Sequence, residues 1–215
     1  MKRTICPILA VGWLVAVTVQ NAVCQGTFYT SRAAFESALS SSTTITFEEL
    51  PVTSEIGIGE SSIAASGVTF TAGALLFIRD SFSPIPATGK YLNHFDGGNP
   101  VSILLPNGVT AFGAAFSGGF FQNTSYNATL TVNMVGGQAY AYNFSGTQGF
   151  WTFFGVSFPQ PIASLIYDDG GPFPGFSHEE KLDNVTFGTI PEPSSIALLA
   201  LGGLLLGWRF FGKPR

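Results

Sequence analysis

Hydrophobic and polar residues alternate along much of the chain between residues 43 and 187, and this pattern predicts β-strands. In residues 43–48, Ile45 and Phe47 alternate with Thr44, Thr46 and Glu48, as in a strand with one buried and one wet face. Similar patterns predict further strands at residues 68–72, 74–78, 101–105, 109–116, 128–135, 138–144, 150–158, 162–167 and 182–187.

Turn residues separate these segments. Asn107-Gly108 and Gly136-Gly137 can adopt the positive φ angles of tight turns, so we expect two hairpins there. Gly73 divides residues 68–78 into two strands, and the Pro- and Gly-rich interval 79–99 should be a long loop. One short helix is expected near the start, capped by Thr30 or Ser31, with Phe35 and Leu39 on one face.

These elements predict an all-β domain with antiparallel strands. About ten strands without a βαβ pattern favour a two-sheet β-sandwich, most simply a jelly roll, with one short N-terminal helix. Residues 25–190 carry four basic and twelve acidic side chains, a net charge of −8. Nucleic acid is therefore not an expected partner, because binding phosphates requires a basic surface.

The N-terminal segment has the pattern of an export signal. Lys2 and Arg3 precede the apolar run 5–19, and the small-residue site Ala22-Val23-Cys24 closes it, which predicts a signal peptide over residues 1–24. A lipoprotein signal at Cys24 is the alternative. Since Cys6 and Cys24 are the two cysteines of the chain, the mature domain would contain no disulfide.

The C-terminal segment has three parts. The triplet Pro191-Glu192-Pro193 is followed by the apolar run 196–208 and by the basic residues Arg209, Lys213 and Arg215. The prolines favour an extended, accessible backbone. A helix over 196–208 would be roughly 20 Å long, against about 30 Å for a hydrocarbon core, which is short for a permanent anchor. The cations should remain cytoplasmic.

This tail resembles the PEP-CTERM sorting signal of exported proteins in Gram-negative bacteria that make exopolysaccharide. The resemblance implies three regions: a signal peptide (1–24), a β-sandwich domain (25–189) and a sorting signal with a transmembrane helix (190–215). It also implies transient anchoring in the inner membrane, cleavage by an exosortase, and delivery to the cell surface or extracellular matrix. Shorter segments at 30–35, 45–51, 111–113, 154–156 and 182–188 resemble segments that recur in many PEP-CTERM exported sandwich proteins. The fold that this resemblance implies is a lectin-like or carbohydrate-binding-module-like sandwich.

Calcium is the candidate cofactor. Glu48 and Glu49 end the first predicted strand, and Asp183 and Asn184 lie in the last, so they could supply the hard oxygen ligands that calcium prefers. In sandwiches similar to this one, a structural calcium often joins the terminal strands. The alternative is that Glu48 is a solvated carboxylate and Asp183 a turn residue.

Other candidates for chemistry are weaker. Asp168-Asp169-Gly170-Gly171 lacks the ligand spacing of an EF-hand, so a polar turn is expected. His94 and His178 have no histidine partner at metal-ligand spacing and are expected to be surface residues in loops. No Gly-x-Ser-x-Gly nucleophile elbow and no phosphate-binding loop occurs in the sequence.

A glycan-binding surface is predicted around residues 120–126. Phe120, Phe121 and Tyr126 could stack on sugar rings, and Asn123 offers an amide. Trp151 could be a platform or a core residue.

The function that these observations favour is that of a non-enzymatic cell-surface or matrix protein that binds glycan in exopolysaccharide or biofilm. The partners would be the secretion machinery, the exosortase, the inner membrane during transit, and exopolysaccharide. The alternatives are a secreted polysaccharide hydrolase, with paired carboxylates such as Glu55 and Asp168, and a membrane-anchored structural module.

Overall fold

The structure is a computed structural model that describes residues 26–53, 60–80, 89–95, 99–118, 125–147, 149–170 and 180–191. These residues form one short helix and twelve strands. In chain order the elements are β1 (Thr27–Tyr29), α1 (Arg32–Ser37), β2 (Ser41–Ile45), β3 (Glu60–Ala65), β4 (Val68–Asp80), β5 (Lys90–Phe95), β6 (Val101–Leu104), β7 (Ala111–Ser117), β8 (Ser125–Met134), β9 (Ala139–Thr147), β10 (Thr152–Ser157), β11 (Ile162–Asp168) and β12 (Lys181–Thr189).

All strand pairs of the described residues are antiparallel, which confirms the prediction of an antiparallel all-β domain. The predicted division into two separate sheets is not confirmed. Hydrogen bonds link the strands into one sheet in the order β1-β10-β7-β12-β5-β4-β6-β11-β8-β9, with β2 paired to β12 and β3 paired to β4.

Strand β5 joins the two halves of this sheet. On one side, Asn93 and Leu92 of β5 pair with Lys181 and Leu182 at the start of β12. On the other side, β5 pairs with the second part of β4, whereas the first part of β4 pairs with β6. β4 changes partners around Gly73, where a Cβ would meet Asn99 Cγ at 2.8 Å. The residues of β5 therefore lie where the two halves of the sheet meet.

The sheet curls so that its two halves face each other across the core. Phe116 of β7 contacts Tyr167 of β11, with ring centroids 4.7 Å apart. A second set of rings, which we call the aromatic cluster, consists of side chains from β9, from β10 and from the residue immediately after β10. Phe144 stacks on Phe154 at 4.8 Å, and the cluster consists of Tyr140, Tyr142, Phe144, Phe154 and Phe158. Burial of these rings is a main source of stability, because each removes a large apolar area from water.

The helix α1 covers one face of β10. Its N-cap is Ser31, whose Oγ accepts a hydrogen bond from the Ala34 N–H at 3.4 Å. Of the two predicted caps, Ser31 is therefore confirmed. Phe35 is fully buried, and its ring centroid lies 5.4 Å from that of Tyr29 and 5.7 Å from that of Phe153. Arg32 extends from the helix to β12, where its guanidinium donates to the Asn184 carbonyl at 2.8 Å.

Several local predictions need correction. Residues 68–80 form one strand rather than two, and part of the predicted loop 79–99 is the strand β5. The predicted strand 43–48 ends at Ile45, because Phe47 has a φ of 61°. The turn at Asn107-Gly108 has a Gly108 φ of 83°, but β6 and β7 do not pair: β6 joins β4 and β11, whereas β7 joins β10 and β12.

The other predicted hairpin is confirmed. β8 and β9 pair along nine positions on either side of Gly136-Gly137. Gly137 has a φ of 81°, and the Met134 N–H donates to the Gln138 carbonyl at 2.8 Å. Both ends of the chain lie outside the described residues, and so do the predicted signal peptide and transmembrane helix. Within the described part of the chain, no helix is long and apolar enough to span a bilayer.

Candidate functional site

The end of β11 carries two adjacent aspartates that differ in exposure. Asp168 is exposed, whereas Asp169 has 1% of its surface accessible. The Gly170 N–H donates to Asp168 Oδ1 at 2.9 Å, so the polar turn expected from the sequence is present. Gly170 has a φ of 62°, and a side chain there would collide with the Asn127 carbonyl, which requires glycine. This turn directs Asp169 into the protein.

Two further residues, Glu180 and His94, lie near these aspartates and come from the other half of the sheet. Glu180 immediately precedes β12 and is 1% exposed, and His94 of β5 is fully buried. The His94 backbone N–H donates to the Glu180 carbonyl at 2.8 Å, and His94 Nδ1 lies 2.8 Å from Glu180 Oε2. The expectation that His94 is a surface residue in a loop is therefore wrong. His178 lies outside the described residues.

Three carboxylates converge at this position. One oxygen from each of Asp168, Asp169 and Glu180 lies within 4.8 Å of the other two. We call these three residues and His94 the acidic corner. Burial raises the pKa of Glu180, and the charge of Asp169 raises it further, while the hydrogen bond from His94 opposes both effects. The site thus concentrates negative charge where water is largely excluded.

Polar groups surround the acidic corner. The hydroxyls of Tyr126 and Tyr167 donate to the carbonyls of Phe116 and Ser117 at 3.3 and 3.2 Å. Burial raises the pKa of Tyr126 to about 12 and that of Tyr167 well above its usual value, and Asp169 contributes to both shifts. Both tyrosines therefore remain neutral beside the carboxylates.

The residues of the predicted calcium site are not assembled in the same way. Glu48 and Glu49 are exposed, and Glu48 Oε1 accepts a hydrogen bond from the Lys90 N–H at 2.7 Å. The Lys90 ammonium donates to the carbonyls of Glu48 and Leu50 at 2.8 and 2.7 Å. Among the described residues, the group of carboxylates and histidines that could hold a metal does not include Glu48, Glu49 or Asp183. This calcium site remains a prediction.

Asp183 and Asn184 interact mainly with each other. Asp183 Oδ1 accepts from the Asn184 N–H at 2.6 Å, and Asp183 Oδ2 accepts from Asn184 Nδ2 at 2.8 Å. Burial raises the pKa of Asp183 to about 6; the charge of Glu48 adds to this effect, whereas the Asn184 hydrogen bonds and the charge of Arg32 oppose it. Glu48 and Asp183 are thus close enough for their charges to interact.

Three of the four predicted glycan-binding residues, Phe120, Phe121 and Asn123, lie outside the described residues. The fourth, Tyr126, is 3% exposed, so its ring packs in the core and presents no face to solvent. Trp151 is partly exposed and contacts the buried Tyr91 edge-on, with ring centroids 5.7 Å apart.

The sheet ends where the C-terminal tail begins. The Ile190 N–H donates to Thr110 Oγ1 at 2.9 Å, and Pro191 is exposed. A shallow cleft beside this exit is lined mainly by hydroxyl, amide and glycine residues: Ser41, Ser42, Thr43, Asn107, Gly108, Val109, Phe187, Gly188 and Thr189. Glu192, Pro193 and the basic residues Arg209, Lys213 and Arg215 lie outside the described residues.

Several solved structures show a limited likeness to this chain, each at 12% identity. They are a family 11 carbohydrate-binding module from Clostridium thermocellum with a β-1,3-1,4-mixed-linked tetrasaccharide (TM-score 0.34; 64% of this chain and 99% of that chain), the C-terminal family 22 carbohydrate-binding module of Clostridium thermocellum Xyn10B (0.34; 60% and 89%), and TmCBM61 with β-1,4-galactotriose (0.30; 58% and 89%). TM-scores this low do not establish a shared fold or ligand. No curated protein matches the sequence.

The family comparison concerns the tail that follows β12. Residues 189–213 match the family model of the PEP-CTERM protein-sorting motif. This range contains the Pro191-Glu192-Pro193 triplet, the apolar run, and two of the three terminal basic residues. The chain therefore carries a PEP-CTERM protein-sorting motif at its C-terminal end, as the sequence predicts.

Proposed function

We propose that this chain is an exported, non-enzymatic protein of the cell surface or extracellular matrix, whose β-domain is delivered by the C-terminal sorting motif. The observation that carries the proposal is the match of residues 189–213 to that motif. An exosortase would remove the tail after the inner membrane has held the chain for a time. The predicted signal peptide would start export.

The position of the motif in the fold supports processing without loss of the domain. β12 pairs with β7 along one edge and with β5 and β2 along the other, and this pairing continues as far as Thr189. The last backbone hydrogen bond of the described residues near this exit comes from Ile190, and the exposed Pro191 follows. A cut at or after Pro191 would therefore leave all the described hydrogen bonds of β12 in place.

The burial of the acidic corner supports a non-enzymatic role. Hydrolysis of a glycosidic bond needs two carboxyl groups in a cleft that the polysaccharide can enter. Asp169 and Glu180 are each 1% exposed, so a polymer cannot reach this pair in the described conformation. Glu55, the other carboxylate considered for hydrolysis, lies outside the described residues.

Glycan binding is the finer form of the proposal, and it rests on the sequence of residues 120–123. A glycan array probed with the processed protein tests it directly, and a reducing-sugar assay on the host's exopolysaccharide tests the hydrolase alternative. Retention on a glycan without release of reducing ends would support the binding role, whereas release of reducing ends would favour the hydrolase.

Processing is tested by the intact mass of the protein recovered from its native host. We expect a mass that lacks both the signal peptide and most of residues 192–215. Replacement of Pro191 and Pro193 by alanine should leave the tail on the chain, because the rigid extended backbone ahead of the helix is lost.

The matched control replaces Pro159 and Pro161, two exposed prolines in the turn between β10 and β11, and should leave processing unchanged. A wild-type protein that retains the whole tail in a host with an active exosortase would contradict the proposal and favour a permanently anchored module.

A further inference from the structure

The acidic corner has the composition of a cation site. Asp168 ends β11, Asp169 follows it, and Glu180 immediately precedes β12, so residues from two different strand ends meet at one point. Their oxygens lie within 4.8 Å of each other. Two ligand oxygens on opposite sides of a calcium ion are about 4.6–5.2 Å apart, because each lies about 2.3–2.6 Å from the ion. The three oxygens could bind one ion without a change in backbone position.

A second observation comes from the hydrogen bonds of Glu180. Its side chain is 1% exposed, and within the described residues Oε1 has no hydrogen-bond partner. Oε2 is held by His94 Nδ1 at 2.8 Å. A buried carboxylate oxygen without a donor is costly, since its hydration is lost and nothing replaces it. A metal ion would supply the missing partner.

The packing around Asp169 keeps its carboxylate in the corner. A Cβ at Gly118, just after β7, would meet Asp169 Oδ2 at 3.1 Å and Asp169 Cβ at 3.0 Å. Glycine at this position therefore allows Asp169 to lie against the end of β7. The positive φ of Gly170 on the other side of Asp169 directs the turn. Asp168 remains exposed and would leave a route for the ion from solvent.

We propose that Asp168, Asp169 and Glu180 bind a hard divalent cation, for which calcium is the best match, and that His94 orients Glu180. The three ligands are carboxylate oxygens, the donors that calcium prefers over nitrogen and sulfur. His94 acts behind the ligand, as hydrogen-bond partners of metal-bound carboxylates commonly do. The ion would connect the end of β11 to the start of β12, beside β5, where the two halves of the sheet join.

The test is calcium-dependent thermal stability of the purified full-length chain in detergent. In the wild type, the change from EDTA to about 10 mM calcium should raise Tm by about 3–10 °C, for an affinity similar to that of extracellular calcium modules. Asp168→Asn should remove most of this rise. Asp168 is exposed and the amide keeps an oxygen for the Gly170 N–H, so this variant should fold even if Glu180→Gln does not.

Two controls locate the effect. Asp80→Asn makes the same change at an exposed carboxylate at the end of β4 and should keep the full rise in Tm. Glu48→Gln changes the calcium site predicted from the sequence and should keep it too. Terbium luminescence, excited through the neighbouring Tyr126 and Tyr167, should appear in the wild type, disappear on addition of calcium, and be weak in Asp168→Asn.

The absence of a calcium-dependent rise in the wild type would overturn the proposal. A rise that persists in Asp168→Asn and is lost in Glu48→Gln would also overturn it, in favour of the site between the terminal strands. These results do not depend on whether the tail is processed, so the proposed function and the cation site can fail independently.

Discussion

The aromatic cluster and the acidic corner each combine buried and partly exposed residues, but they stabilise the fold in different ways. In the aromatic cluster, the rings of β9 pack directly on Phe154 and Phe158, and no charge is involved. In the acidic corner, the Glu180 side chain accepts a hydrogen bond from His94 and lies near two other carboxylates. The first region depends on apolar area and shape, whereas the second depends on protons, hydrogen bonds and counter-ions. The two should therefore respond differently to mutation and to pH.

The largest effect is expected in the aromatic cluster. Phe154→Ala should lower the free energy of unfolding by about 3–5 kcal/mol, because Phe154 is 3% exposed and its removal leaves a cavity beside Phe144. Urea denaturation should give similar losses at acidic and neutral pH. Phe150→Ala is the control: Phe150 is 55% exposed, so the loss should stay within about 0.5 kcal/mol. Equal losses in the two variants would contradict the packing described for Phe154.

The second prediction concerns the acidic corner. His94→Leu, studied in EDTA, should cost about 2–3 kcal/mol, because Glu180 loses its donor while it remains buried. The double variant His94→Leu/Glu180→Leu should lose less than the single variant, since no polar group is then left without a partner. Urea denaturation of the four proteins forms a double-mutant cycle. Additive losses would mean that His94 contributes through packing, as the aromatic rings do.

The smallest effect is a pH dependence at Asp183 of β12, beside Glu48 and Arg32. Its pKa is about 6 in the folded protein, above the usual value of 3.8. Between these two values the folded state binds more protons than the unfolded state, so the contribution of Asp183 to stability falls as pH rises through this window. Asp183→Asn should therefore be more stable than the wild type by about 1–2 kcal/mol near pH 7.5, after allowance for partial solvent screening.

This difference should shrink below about 0.5 kcal/mol near pH 4, where Asp183 is protonated in the folded wild type and partly protonated in the unfolded chain. Thermal or urea unfolding in EDTA over this range measures it. The asparagine retains an oxygen for the Asn184 N–H but not the second acceptor, to which Asn184 Nδ2 donates. Because that loss does not vary with pH, the change of the difference with pH is the decisive measurement. A difference that does not change with pH would show that the pKa of Asp183 is the same in the folded and unfolded states, which contradicts the prediction.

The sequence predicted features that depend on neighbouring residues. The β8–β9 hairpin follows from alternation and from a Gly-Gly turn, and the start of the helix α1 follows from the Ser31 cap. The predicted pairing of Phe35 with Leu39 on one helix face was wrong, because α1 ends at Ser37. The strands with which β6 and β7 pair could not be predicted in this way. At the turn Asn107-Gly108, Gly108 has the positive φ that the sequence suggests and Asn107 does not, and the two strands leave the turn for opposite halves of the sheet.

The acidic corner was missed for a physical reason. β5 is buried on both faces from Tyr91 to His94, so its sequence shows no alternation, and its polar residues Asn93 and His94 resemble those of a loop. Glu180 and Asp169 are eleven positions apart in sequence and meet only because β11 and β12 belong to different halves of a curled sheet. The adjacent aspartates at the end of a predicted strand were the one local signal of this site.

The position of β12 also determines how the domain would bear mechanical load. β12 lies inside the sheet, and the tail continues from its C-terminal end. If a membrane holds the tail during export, as we propose, a pull on the domain acts along β12, roughly at right angles to its hydrogen bonds with β7 and β2. These hydrogen bonds are then loaded in shear at the same time and do not break one after another. β12 therefore resists being pulled out of the sheet better than an edge strand would.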